Sequence, residues 1–343
     1  MKISVVLLSY NQERFIVEAL QAALSQVDDN FEVIVADDAS TDSTHQRILS
    51  YLAQHSAPNV AYFHNPCNLG LVANFWKAIE RTNGDVIVAM AGDDISLPNR
   101  LGMVRQHFEA NPQSMALYAS ANVIDERGVM TGRKISGWVR DDLCANTLTH
   151  MDLKPFVNLL GDRVCMGGAA AYRKDIFTKF PALSGKSMHA EDEICMFRSS
   201  LLGSVEFSPD THLYWRLHGQ NQSFGLGPYR GPKQAAMYER QSNTCDQFLA
   251  DLEFAKNWHD QSFEVAYKRL GAAFVAMKAH WALWAVCHES GVPAIRWMFA
   301  LRDLAVALRS WTKALRHAVR PTFKMITPYW LQQQIASRHV VAR

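Results

Sequence analysis

A chain of 343 residues with 48% hydrophobic and 20% charged side chains has enough apolar material for a full core, which excludes a disordered or low-complexity protein. Six cysteines at positions 67, 144, 165, 195, 245 and 287 show no CxxC spacing and no dense disulfide framework, so they imply no cysteine-held zinc and fit reduced thiols in the cytoplasm. The net charge of +2 is unevenly spread: residues 293–343 hold nine Lys/Arg against one acid, Asp303, while residues 1–292 hold 26 against 32.

The first apolar run, residues 5–8, reads as a strand rather than a signal peptide, because it lacks a longer apolar core and a small-residue cleavage site. Asn11 can cap a helix that carries Ile16, Ala19, Leu20, Ala23 and Leu24 on one face. The unit repeats with a strand at 33–36 and a helix through Ile48, Leu49 and Leu52, announced by the cap-prone run Ser40-Thr41-Asp42-Ser43-Thr44. It repeats again with a strand at 60–64, a helix through Val72, Phe75, Trp76 and Ile79, and a strand over 86–91. This alternation predicts an α/β fold with a mostly parallel sheet flanked by helices. A further helix follows Pro98 and a strand spans 115–121, with a turn near residues 125–128. Residues 131–153 read as a polar loop over the crevice, and 167–172 as a small-residue run where backbone can approach a ligand.

From about residue 235 the pattern is helical. Trp297, Leu301, Leu304, Leu308, Trp311, Leu315 and Val319 form one face of a helix over 294–320, and Arg302, Arg309, Lys313, Arg316 and Arg320 another. Such a basic amphipathic helix is expected either to rest on an anionic membrane surface or to pack on the rest of the protein. No apolar stretch reaches the ~20 residues of a spanning helix; the nearest, 271–287, is interrupted by Lys278 and His280. Nucleic acid is not expected, since no helix-turn-helix or aromatic-basic pattern accompanies the charge. The expected division is 1–232 for the α/β domain and 233–343 for a helical extension.

Acidic strand ends carry the chemistry. Residues 86–91 run into Gly92-Asp93-Asp94, and residues 33–36 into Asp37-Asp38. Adjacent carboxylates repel unless a cation or donors share the site, and ligands of open α/β sheets gather at the carboxyl ends of strands. A third cluster, Glu191-Asp192-Glu193, lies far downstream. Asp37 could equally be a turn or capping residue, and Glu191 and Glu193 read as solvated charges of a first helical turn. His45, His55, His64, His107 and His150 show no partner pattern and receive no role.

In order, the chain shows Leu8-Ser9-Tyr10-Asn11, Ala36-Asp37-Asp38-Ala39-Ser40-Thr41-Asp42, Asn68-Leu69-Gly70, Gly92-Asp93-Asp94 with Pro98, Glu191-Asp192 with Arg198, and Trp215-Arg216-Leu217-His218-Gly219-Gln220-Asn221-Gln222-Ser223. Over roughly residues 3–225 this series resembles the family-two inverting glycosyltransferases of the GT-A fold, which move a sugar from a nucleotide diphosphate to an acceptor hydroxyl. The resemblance implies that Ser9 and Asn11 line the nucleotide pocket, that Asp38 accepts from the base, and that Asn68 and Gly70 lie along the donor. It implies Asp94 as direct ligand of Mg²⁺ or Mn²⁺, with Asp93 near the ribose or the ion, and Asp192 as catalytic base. It puts Arg216 and His218 on the diphosphate or its closing loop, with His218 in reach of the metal. A UDP-sugar is the favoured donor, and a glycan or lipid-linked acceptor of a bacterial surface polysaccharide the implied partner. Ala91 departs from the pattern, standing where many members have a further aspartate. Two other readings stay open: a sugar-nucleotide-binding protein without turnover, and a phosphoacceptor module, which would need an acidic pair where this chain has Ser9-Tyr10-Asn11.

Overall fold

The computed structural model describes residues 1–135, 147–148, 167–183, 187–188, 191–221, 232–258, 263–288 and 294–307. Four parallel strands begin the sheet: β1 (Ile3–Ser9), β2 (Phe31–Asp37), β3 (Val60–His64) and β4 (Val86–Ala91), in the order β3-β2-β1-β4. Their side chains are apolar on both faces because helices cover both. Val5, Leu7, Val33, Val35 and Val88 are buried with Ile16, Leu20 and Ile48 of helices α1 (Ile16–Leu24) and α2 (Thr44–Gln54). Helix α3 (Leu71–Ile79) buries Val72, Phe75, Ala78 and Ile79.

The second half of the sheet explains how distant residues meet. After β5 (Ile95–Ser96) and α4 (Arg100–Ala110), the long strand β6 (Ser114–Ile124) turns through Gly128 into β7 (Met130–Ile135), which pairs antiparallel with it. Residues 130–135 are therefore strand rather than loop; β8 (Thr147–Leu148) pairs with a later strand, and the rest of the expected 131–153 loop lies outside the described residues. Strand β9 (Ala170–Arg173) inserts antiparallel between β4 and β6, with Val88 opposite Ala171. Because β9 runs backwards, its start lies beside the carboxyl end of β4, and this carries Gly167 and Gly168 to the acidic edge. Helices α5 (Asp175–Thr178) and α6 (Glu191–Leu202) lead to β10 (Ser204–Arg216), parallel to β6, so the carboxyl ends of β1, β2, β4, β6 and β10 share one edge.

By contact the chain divides into one unit of Met1–Phe224 with Asp251–Ala266 and another of Gly225–Ala250 with Tyr267–Arg343. Within the first, Arg198 is fully buried and grips Asp251 with two bonds, Nε to Oδ2 at 2.7 Å and Nη2 to Oδ1 at 2.9 Å. A buried, bidentate pair is costly to break from one side. Helices α7 (Pro232–Ala255), α8 (Phe263–His288) and α9 (Ala294–Ala307) complete the described chain. In the second unit Leu301 and Leu304 are buried with Leu283. That part of the apolar stripe is covered by protein and is not free for a membrane, while Leu308 onward lies outside the described residues. None of the described helices is long and apolar enough to cross a membrane.

At the opposite edge of the sheet, Glu32 accepts from Lys2 Nζ (2.6 Å), Ser4 Oγ (2.7 Å) and the Asn83 N–H. Burial would raise its carboxyl, but these donors overcome burial and hold it down at about 2. A depressed carboxylate stabilises the fold above its unfolded pKa, and the benefit is lost as pH falls from about 4.5 toward 2. Lys2 is partly exposed, so solvent screening trims the effect to about 1–2 kcal/mol. Urea unfolding at pH 7 and near pH 3 checks it: the wild type should lose that much more stability on acidification than Glu32→Gln.

Candidate active site

The first two strand-to-helix turns are tied together by their polar side chains. Ser9 Oγ donates to Asp37 Oδ1 (3.1 Å), the Asn11 N–H to Ser40 Oγ (2.9 Å), and the Thr41 N–H to Asn11 Oδ1 (2.8 Å). Asn11 has φ 53°, a left-handed conformation that asparagine tolerates, and α1 is not capped by it: Phe15 occupies the cap position. Asp37, fully buried, also accepts from Ser40 and from His64 Nδ1 (2.7 Å), so it is the knot of this corner rather than a simple cap.

Asp38 is held by the neighbouring loop. Its Oδ1 accepts the Leu69 N–H (2.8 Å) and Asn65 Nδ2 (3.0 Å), and its Oδ2 the Gly70 N–H (2.8 Å). A carboxylate has about four acceptor directions, so three are used inside the protein and one is left. Asn68 Nδ2 reaches the Asp38 carbonyl at 3.3 Å, and Gly70, at φ 84°, makes the left-handed entry to α3. The structure thus groups Ser9, Asn11, Asp38, Asn68 and Gly70 at one corner.

Asp93 and Asp94 stand two strands away at the end of β4. Asp94 is 2% exposed and its Oδ1 accepts the Arg216 N–H (3.0 Å). Burial and the adjacent Asp93 push the Asp94 carboxyl well up, against the pull of the Arg216 N–H and the Arg100 and Arg216 guanidiniums. Beyond Oδ2 there is little room: a Cβ placed on Gly168 would stand 3.1 Å from it. Two desolvated like charges with hard oxygen donors and a glycine-walled approach fit a divalent cation of the Mg²⁺ or Mn²⁺ type, which takes one or two carboxylates and completes its shell with other oxygens.

Arg216 and His218 brace this pair. The Arg216 guanidinium, 2% exposed, points inward: Nε donates to the Asp93 carbonyl (2.9 Å), Nη1 to the carbonyls of Asp125 and Glu126 (3.4 Å each), and Nη2 to Glu18. Four of its five N–H groups are thus committed to the protein, and they hold the Asp93 backbone beside the end of β6. His218 accepts the Gln220 N–H at Nδ1 (3.2 Å), which puts its proton on Nε2, and Nε2 donates to Asp93 Oδ2 (2.9 Å). With both nitrogens engaged, the ring positions Asp93.

Asp192 starts α6. Its Oδ1 accepts the Glu193 N–H (2.8 Å) and its Oδ2 the Gly167 N–H (3.2 Å), and the Tyr118 hydroxyl donates to its carbonyl (2.9 Å). The Gly167 N–H bonds Asp192, and a side chain on Gly168 would crowd Asp94, so two consecutive glycines stand beside both carboxylates. Glu191 is not a solvated charge: it is buried against Gly167, and burial together with Asp192 pushes its carboxyl up to about 8. A neutral Glu191 spares Asp192 a second negative neighbour. A methyl group on Gly167 would lie 2.6 Å from Glu191 Oε1 and 3.3 Å from Asp192 Cβ. Gly167→Ala should therefore displace Asp192 and lower kcat by about a hundredfold while nucleotide binding, read by calorimetry, stays within a few-fold.

Sequence reasoning missed Arg100, which is fully buried with Nη2 donating to the carbonyls of Ala89 (2.9 Å), Gly168 (3.0 Å) and Ala170 (3.3 Å). It staples β4 to the glycine turn; its place just after Pro98 in the Asp94 motif was the available signal.

The family model "Glycosyl transferase family 2" matches residues 4–180, which contain both aspartate pairs and both glycines. The chain belongs to that family. This family-2 glycosyltransferase is 35% identical over 132 residues to "Putative glycosyltransferase EpsE" of Bacillus subtilis, a match covering 38% of this chain and 47% of that protein. It is 30% identical over 118 residues to "Putative colanic acid biosynthesis glycosyl transferase WcaA" of Escherichia coli, covering 34% and 42%. These matches thus span less than half the length of either relative. Among solved structures it is similar to S. aureus TarS 1-349 in complex with UDP-GlcNAc, with a TM-score of 0.61 at 17% identity, covering 95% of this chain and 90% of that one. That likeness shows the expected mixed α/β GT-A fold.

Proposed function

We propose that this glycosyltransferase transfers a sugar, with inversion, from a nucleotide diphosphate donor held at Asp38 and Asp93–Asp94 to an acceptor hydroxyl activated by Asp192. The observation that carries the reading is the Gly167–Gly168 turn, which gathers Asp94 and Asp192 at one place. Inversion needs only one base on the acceptor face, and Asp192, fixed by two N–H donors, is aimed for that task. As the hydroxyl attacks the anomeric carbon, its proton passes to Asp192 and the bond to the nucleoside diphosphate breaks on the other face. Asp94, with Asp93 beside it, would hold a divalent cation, which when bound would stabilise the charge of the departing diphosphate. His218 and Arg216 keep those carboxylates in place. Ala91 removes one carboxylate from the site, and the remaining two suffice for a cation that also takes phosphate oxygens.

UDP-sugars are the favoured donors, supported by the UDP-GlcNAc bound in the TarS structure. A surface-glycan setting, with a glycan or lipid-linked acceptor, is supported by the description of WcaA. Contact with an anionic inner membrane surface rests on the charge of residues 293–343 alone, and a cytoplasmic place on the cysteine spacing, which forms no dense disulfide framework. A thermal-shift screen of sugar nucleotides with Mn²⁺ tests the donor assignment, because a ligand bound by the folded state raises Tm. One or a few UDP-sugars should raise it; no response to any nucleoside diphosphate or its sugars would contradict the proposal.

A further inference from the structure

His45 opens α2 and His64 ends β3, yet their rings stand 4.4 Å apart, centroid to centroid, beside the buried Asp37. One nitrogen of each ring and one carboxylate oxygen of Asp37 all lie within 4.8 Å of one another. We infer that Asp37, His45 and His64 form a second cation site, selective for a borderline metal of the zinc class and separate from the Asp93–Asp94 pair.

The argument rests on the donors and on what holds them. Two imidazoles and one carboxylate suit Zn²⁺, Co²⁺ or Ni²⁺, whereas the all-oxygen pair at Asp93–Asp94 suits Mg²⁺ or Mn²⁺. Ligating histidines are normally oriented by a hydrogen bond at the other ring nitrogen. His45 has that support already: its Nδ1 meets the Tyr62 hydroxyl at 2.6 Å, leaving Nε2 for the ion. Asp37 and His64 are in near-ligand proximity, Oδ2 to Nδ1 at 2.7 Å. The ion takes the place of the proton they share, and that proton leaves to solvent. The other Asp37 oxygen stays with Ser9 and Ser40, so the carboxylate is aimed before any ion arrives. The His64 side chain is 36% exposed, which leaves an open side for entry and for a water as fourth ligand. Since Asp37 also ties the Ser9 and Ser40 turns, an ion here stiffens the corner that carries Asn11 and Asp38.

Co²⁺ titration of the full chain in excess Mg²⁺, followed by visible absorption and calorimetry, tests the inference without any assay of transfer. One equivalent should bind with the spectrum of a low-coordinate nitrogen–oxygen site. His45→Gln and His64→Gln should each weaken binding by at least about tenfold, Tyr62→Phe by about tenfold, and Asp94→Asn not at all. His64 is exposed, so its variant keeps the fold, and far-UV circular dichroism confirms that. The inference is overturned if the wild type binds no Co²⁺ in excess Mg²⁺, if the His45→Gln/His64→Gln double variant binds it as the wild type does, or if Asp94→Asn alone abolishes it. Failure of donor binding or transfer in other assays leaves this result independent.

Discussion

Asp192→Asn should lower kcat by about a thousandfold while leaving the Kd for the nucleotide donor within about twofold of wild type. The amide keeps the size of the carboxylate and one oxygen to accept the Glu193 N–H, so the start of α6 is preserved. What it loses is the ability to take a proton from the acceptor hydroxyl. Its NH₂ group also faces the Gly167 N–H in place of an acceptor, a lost hydrogen bond worth about 1 kcal/mol, which is local to the acceptor side. The donor contacts proposed for Asp38 and Asp93–Asp94 are untouched, and this separates loss of a base from loss of the site. Steady-state transfer and calorimetric titration of the same preparation decide it. Normal turnover by the variant would remove Asp192 from the chemistry.

Asp94→Asn should behave in the opposite way, losing cation-dependent donor binding by about a hundredfold and transfer with it. The fold has little reason to suffer, because an asparagine Oδ1 can still accept the Arg216 N–H. Removing one of two adjacent desolvated charges also relieves the repulsion that now pushes the Asp94 carboxyl up. The variant should therefore be at least as stable as wild type in urea while binding UDP with Mn²⁺ no better than with EDTA. A group that costs stability and supports ligand binding is expected at a functional site. If Asp94→Asn keeps the Mn²⁺ dependence of wild type, the cation is held elsewhere.

The first half of the fold was legible because the parallel strands are short apolar runs, two of which end abruptly in acid, at Ala36-Asp37-Asp38 and Ala91-Gly92-Asp93-Asp94. The second half was not. Ala170–Arg173 is short and built of small residues, so nothing in its pattern announces a central strand, and its reversed direction is set by pairing with Val86–Val88 and Ala116–Tyr118. Positions of site residues were readable where a motif fixed them, whereas side-chain directions were not. Arg216 ends β10 and His218 follows it, but their partners Glu18, Asp93, Asp125 and Glu126 come from other parts of the chain. Glu191 looked like an ordinary first-turn charge because local sequence does not show that Gly167, brought in by β9, would cover it. The Asp37–His45–His64 group failed for the same reason: its members come from two strands and a helix start.

The stereochemistry of the product tests the central claim most directly. Proton NMR of the first anomer formed from a UDP-sugar that the enzyme consumes, by transfer or by slow hydrolysis, reads the configuration at the anomeric carbon before it equilibrates. One base at Asp192 facing a diphosphate held across the glycine turn predicts inversion relative to the donor. Retention would contradict it.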